Sequence, residues 1–244
     1  MSAFQIAVVL YPGMTALDAI GPYEVLRFAP GAEIRFVGHE VGPVVTDSGA
    51  LALGVTHTFD ETPAPRLVVV PGGPAATAVA ADKKVLDWVR AVHRTSEWTT
   101  SVCTGALVLA AAGLLDGRPA TTHWAAQRPL GLLGAVPKPG ERFVIGDRIA
   151  TAAGVSAGID LALWLVGEIF GRERAEVIQL GIEYDPRPPF DAGHPDKVDA
   201  KVRRTALAGQ VRLLGQLRHS GTLLRTLTGA QEALWRSAIR RIRA

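Results

Sequence analysis

A chain of 244 residues, 48% apolar and 20% charged, is long enough for one large α/β domain with an appendage or for two small domains. Its apolar runs are broken by Gly, Pro or charge well short of a membrane span, and one cysteine excludes an intrachain disulfide and a Cys-rich zinc site. The net charge of +3 conceals an asymmetry: residues 196–244 hold 11 basic and 3 acidic side chains, and the preceding 195 residues hold 15 and 20.

That basic tail is the one feature pointing to a nucleic-acid or anionic partner. The lone cysteine fits a reducing compartment, and Met1 to Leu10 enters a strand-like run with no basic leader. A cytoplasmic location is therefore expected.

In chain order, Gln5 to Leu10 is a continuous apolar run, as in a parallel strand buried on both faces. Tyr11-Pro12-Gly13 stops it, and a helix follows from Thr15 to about Phe28. Glu33 to Gly38 reads as a strand, Val44 to Val55 as a hairpin around Asp47-Ser48-Gly49, and Arg66 to Val70 as a buried strand. Lys83 to Arg94 is an amphipathic helix, and Trp98 to Val102 is a β-branched strand leading into a small, apolar helix from Gly105 to Ala112. Ala120 to Thr122 forms a short strand, and Phe143–Ile145 and Ile149–Ala152 flank a turn at Gly146-Asp147-Arg148. Helices are predicted over Gly154–Phe170 and Glu173–Glu183. The proline-rich stretch Tyr184 to Asp196 is a connector, and Lys197 to Arg243 is helical with a break at Ser220-Gly221. Apolar strands alternating with helices give an open parallel sheet with helices on both faces. The reading divides the chain into an α/β domain over 1–196 and a helical extension over 197–244.

Cys103 sits where a strand turns abruptly into a helix. Ser101 and Gly105 supply the small neighbours of a tight elbow, the cysteine counterpart of a nucleophile elbow. The helix N-terminus beneath it is expected to favour an exposed thiolate. Against this stands a bland alternative, a small buried hydrophobe at a strand end.

Three other loops follow strands, where open α/β sheets bind ligands. Asp18 could face Cys103, or Thr15-x-x-Asp18 could be a capping box. Gly72 and Gly73 could bring backbone N–H groups, with that of Thr104, against a developing negative charge, or could simply make a turn. His123 could pair with Cys103 as a base or be structural, and His194-Pro195-Asp196 has the order of a triad fragment.

Several stretches carry a family resemblance: the glycine pair, Ser101 to Gly117 through the cysteine, Ala120 to Trp124, and Ala153 to Leu163. Leu-Asp-Ala-Ile-Gly-Pro at 17–22 and the connector at 184–193 add to it. Across roughly residues 4–196 the chain resembles the ThiJ/PfpI superfamily, and within it the isonitrile hydratase branch. The resemblance implies a flavodoxin-like fold, a homodimer, Cys103 as nucleophile and Asp18 as its acidic partner, with backbone N–H groups of Gly73 and Thr104 facing the sulfur. No metal or other cofactor is expected, since the sequence has no metal-ligand cluster and no phosphate-binding Gly-Lys-Ser/Thr. The proteolytic branch has His after the cysteine, whereas Thr104 stands here, which argues against peptidase activity. Related AraC-type regulators add two helix-turn-helix units, more than the 48 residues after Asp196 could hold.

The expected activity is hydration of a small neutral isonitrile, with water, to an N-substituted formamide. The alternatives are a cysteine-based redox or stress sensor, and a regulator-like protein that lacks hydratase activity. In the tail, Leu207, Val211, Leu214, Leu217, Leu224, Leu227 and Leu234 are expected to form a packed apolar face. Arg203, Arg204, Arg212 and Arg240 are expected to stay solvated, so nucleic-acid binding is not expected.

Overall fold

The computed structural model describes residues 3–216 and 222–243. Its centre is a seven-stranded sheet. Strands β1 (Phe4–Val9), β2 (Ala32–Gly38), β5 (His57–Thr58), β6 (Leu67–Val70), β7 (Trp98–Val102) and β11 (Ile149–Ala152) run parallel, and β10 (Phe143–Gly146) is antiparallel at one edge. The remaining strands form two small side sheets: the hairpin β3 (Gly42–Val45) with β4 (Ala52–Val55), and β8 (Pro119–Ala120) with β9 (Val136–Pro137).

Sheet order is β10-β11-β7-β6-β1-β2-β5. From β1 the chain moves outward to β2, then returns across β1 to lay down β6, β7 and β11 on its other side. The order therefore reverses between β1 and β6. Parallel crossovers leave a crevice at such a point, outside the carboxyl ends of the strands. Register aligns these ends: Val8 is opposite Val69, Val70 opposite Ser101, and Val102 opposite Ala152.

Helices cover both faces, α1 (Ala16–Leu26), α6 (Ala157–Phe170) and α7 (Arg172–Gly181) packing together apart from α2 (Ala76–Val79), α3 (Lys83–His93) and α4 (Gly105–Ala111). The strand side chains of β1 and β6 are almost wholly buried, as their unbroken apolar runs require. Asp82 caps α3, its carboxylate accepting from the N–H groups of Lys84 and Val85. Gly158 of α6 lies against Val102 and Pro22, so a Cβ there would come within 2.9 Å of Val102.

Several expectations need correction. The predicted strand before His123 is β8, which pairs with β9 outside the central sheet, so His123 is not at a central strand end. A short helical segment, α5 (Gln127–Leu132), carries no helical signal in the sequence, because Pro129 and Gly131 lie within it.

The tail differs most. It forms α8 (Ala200–Gln216) and α9 (Thr222–Arg243). Leu207 and Val211 are exposed rather than packed, and Leu234 is largely outside the contact; the side chains of Leu214, Leu217, Leu224 and Leu227 lie outside those described. Among the described side chains of α9, the buried ones are instead a stripe of small residues, Gly229, Ala233 and Ser237. Their spacing of four is helical, but size matters more than apolarity, because α9 approaches the backbone of α2 too closely for leucine. Arg240 is not solvated; it is half-buried and paired with Asp116.

Candidate active site

Cys103 has φ of +56°, in the left-handed region that side chains with a Cβ seldom adopt. Such a conformation persists only where surrounding contacts impose it. Its N–H donates to the carbonyls of Ala152 and Ala153 (3.2 and 2.8 Å), and its own carbonyl accepts from Thr122 Oγ1 at 2.8 Å. Gly105 is required next to it: a Cβ there would lie 2.1 Å from the Val70 carbonyl oxygen. The elbow read from the small residues around the cysteine is thus a tight turn pressed against the end of β6.

The sulfur is enclosed, with Cys103 only 5% exposed. This overturns the expected exposed thiolate. Burial pushes the thiol well above its ordinary range, and the nearby Asp18 charge pushes it further. Opposing them, the Thr104 backbone N–H faces the sulfur and favours its charged form.

Asp18 is fully buried on α1, and its carboxyl group lies against the Cys103 sulfur. Its Oδ2 accepts from the Gly72 N–H at 2.9 Å, while Oδ1 has no hydrogen-bond partner of standard geometry. Burial raises this carboxyl to about 7, with the Gly72 N–H and Cys103 pulling the other way. The capping-box alternative fails: Thr15 makes no side-chain cap and its hydroxyl donates instead to Asp47 Oδ2 at 2.6 Å.

The glycine pair is shaped for close approach. A Cβ on Gly72 would come within 2.4 Å of the Thr104 nitrogen, and Gly73 has φ of +138°. Neither N–H is free in this arrangement. That of Gly72 holds Asp18, and that of Gly73 donates to Thr104 Oγ1 at 2.8 Å. Of the three expected backbone donors, Thr104 is the one that faces the sulfur.

His123 makes no hydrogen bond to Cys103 among the described residues. Its Nδ1 accepts from the Ala125 N–H at 3.4 Å, capping a turn of 3-10 helix, and burial lowers its pKa, keeping the ring neutral. It lines a cleft of about 630 Å³ that opens beside Ala153 and Thr122, the residues that hold Cys103. Leu17, Trp124, Val155 and Phe190 give this cleft apolar walls, and the connector from Pro188 to Lys197, with His194, forms its far side. The charges bordering it are largely paired, Arg142 with Asp160 and Lys197 with Asp191.

Two residues escaped the sequence reading. Tyr11 donates its hydroxyl to the Pro71 carbonyl at 2.9 Å, and burial first, then the nearby acidic groups Asp18 and Cys103, push its pKa up. Asp47, in the turn between β3 and β4, holds Thr15 and adds negative potential at Asp18. A hydroxyl-bearing aromatic directly after a buried strand was the available signal for Tyr11. Nothing local marked Asp47.

The conserved-domain profile of the DJ-1/PfpI family matches residues 4–168. The chain belongs to the DJ-1/PfpI family. It is 42% identical over 200 residues to the isonitrile hydratase of Pseudomonas putida, covering 82% of this chain and 87% of that protein. A ThiJ/PfpI family protein from Pseudomonas syringae superposes with a TM-score of 0.81 at 35% identity, covering 97% of this chain and 91% of the other. The HTH-type transcriptional regulator CdhR of Pseudomonas aeruginosa is 32% identical over 178 residues, 68% of this chain but 51% of the regulator. As a DJ-1/PfpI family member the protein has the flavodoxin-like fold, with further helices at the C-terminal side beyond the matched residues.

Proposed function

We propose that this protein is an isonitrile hydratase with Cys103 as nucleophile and Asp18 as proton carrier. The observation that carries this reading is the enclosed contact between the Cys103 sulfur and the Asp18 carboxyl group at the strand-order reversal. Likeness to the Pseudomonas putida enzyme along most of both chains supports it.

An isonitrile, R–N≡C, is neutral, and its terminal carbon accepts a nucleophile and then needs a proton. The sulfur attacks that carbon as its proton passes to Asp18, forming the S–C bond. Asp18 then protonates the same carbon, giving the thioimidate R–N=CH–S–Cys103. Water adds to this carbon with proton transfer to nitrogen, and the C–S bond breaks to release R–NH–CHO and restore the thiol. Water and isonitrile are consumed in equal amounts, and no redox change occurs. A carboxyl group that titrates near neutrality is suited to taking and returning one proton within a cycle. Because the substrate carries no charge, a cleft whose borders are apolar or internally paired suits it.

Incubation with simple alkyl and aryl isonitriles, following formamide by mass spectrometry, tests the proposal. Formamide production dependent on Cys103 supports it; inactivity across a broad panel refutes it. A second reading, a sensor or regulator-like protein, is favoured by the likeness to CdhR, of which the chain spans about half. We further propose that the protein works as a homodimer, which light scattering would test.

A further inference from the structure

The C-terminal helix α9 lies outside the stretch matched by the family, yet it touches both elements that follow the site loops. Helix α2 begins three residues after Gly73, and α4 begins two residues after Cys103. On α2, Gly229 comes so close that a Cβ would lie 2.7 Å from the Thr77 carbonyl oxygen and 2.9 Å from Ala78 Cα. On α4, the Arg240 guanidinium reaches the end of the helix, its Nη1 donating to the Ala111 carbonyl at 3.1 Å and Nη2 to the Ala110 carbonyl at 3.0 Å. The same guanidinium holds Asp116 through both oxygens, Nε to Oδ2 at 2.6 Å and Nη2 to Oδ1 at 3.1 Å. A planar fork of this kind fixes direction as well as distance.

Space has been cleared for that fork. Gly113, at φ of +84°, would place a Cβ 2.9 Å from Arg240 Nε, and Gly134, at +109°, would place one 2.5 Å from Asp116 Oδ1. Ser237, between the two grips, is fully buried and donates to the Leu133 carbonyl at 2.7 Å. At the opposite ends of α2 and α4, the loops are tied by Thr104 Oγ1, which accepts from the Gly73 N–H and donates to the Gly73 carbonyl at 3.0 Å.

We propose that α9 is a brace that sets the spacing between the Gly72–Gly73 loop and the Cys103–Thr104 elbow, with Arg240 and Gly229 as positioning residues. Movement of α4 relative to α2 would change the Thr104 contacts to the sulfur and the Gly72 bond to Asp18 together. The inference rests on Cys103 and Asp18 forming the site, but not on the identity of the substrate.

The test is alkylation of Cys103 by iodoacetamide in the folded full-length protein, read by intact mass from about pH 6 to about pH 10, with melting temperature measured alongside. Arg240→Ala is expected to change the rate by about threefold or more and displace the pH profile, and Arg240→Lys to fall between it and wild type. Gly229→Ala, which forces α9 off α2, is expected to displace the profile as well. Arg236→Ala, whose partner is Glu232 on the same helix, is expected to superimpose on wild type. A lowered melting temperature with an unchanged profile in Arg240→Ala would reduce α9 to an anchor and overturn the proposal. Should Arg240→Ala fail to fold, Arg240→Lys and Gly229→Ala carry the same criterion: displaced profiles support the brace, superimposed ones overturn it. Because alkylation needs no isonitrile, failure here is separable from inactivity as a hydratase.

Discussion

Asp18 reaches across from the first helix to lie against the sulfur of Cys103, with both groups shut away from solvent. Two acidic groups in such contact titrate as a pair, and the first proton leaves near the value of about 7 to which burial raises Asp18. Below that pH the pair is neutral; above it, one negative charge is shared between carboxyl and sulfur.

For the hydratase reaction, turnover should rise as pH passes through about 7, because sulfur can attack only from the singly charged pair. Cys103→Ala is expected to abolish formamide formation. Asp18→Asn keeps the acceptor for Gly72 but carries no proton, and is expected to lower kcat by about 10²- to 10⁴-fold. Full turnover by Cys103→Ala would refute the mechanism.

The same pair predicts a stability signature. A carboxyl whose folded pKa of about 7 exceeds its unfolded value of 3.8 binds more protons when folded. Its contribution is complete below the unfolded value and is lost as pH rises towards about 7, with a ceiling of about 4 kcal/mol. Asp18→Asn should therefore gain melting temperature relative to wild type as pH rises from about 4 to about 7. A constant difference across that window would show that Asp18 does not titrate there.

Burial also predicts a slow thiol. Alkylation of native Cys103 near neutral pH is expected to be at least about tenfold slower than in the urea-unfolded chain, and to quicken with rising pH. Equal rates would contradict the enclosed, raised thiol described above.

Gly105 tests the elbow itself. A methyl group 2.1 Å from the Val70 carbonyl must displace either β6 or the start of α4. Gly105→Ala is expected to destabilise the fold by about 3 kcal/mol or more, measured by urea unfolding. Near-wild-type stability would mean that the turn is looser than its contacts indicate.

The basic tail is expected to bind no nucleic acid. Arg240 is held by Asp116, Arg236 by Glu232 and Lys197 by Asp191, so part of the excess charge is already neutralised. A gel shift that is strong at low salt and weakens steeply with added salt would overturn this.

Much of the architecture was legible one residue at a time. Unbroken apolar runs mark β1 and β6 because a parallel strand buries both faces, and β7 is bounded as the β-branched run Trp98–Val102 suggests. The elbow at Cys103 was legible for the same local reason: small residues flank the one place where the chain must turn within van der Waals contact of its neighbour. What lay beyond the sequence was every relationship between loops distant along the chain. Whether Asp18 caps its own helix or meets Cys103 depends on which strands are neighbours, and only the assembled sheet brings the end of β1 beside that of β6 and one strand away from that of β7. The state of the thiol followed the same logic. The local pattern of helix start and small residues pointed to a thiolate, but enclosure by residues from several segments reverses the balance, since desolvation is a property of the whole surroundings. The tail shows the limit most plainly: helical period was readable, but not that Gly229, Ala233 and Ser237 would be buried in preference to Leu234, because the required approach distance belongs to the surface that α9 meets.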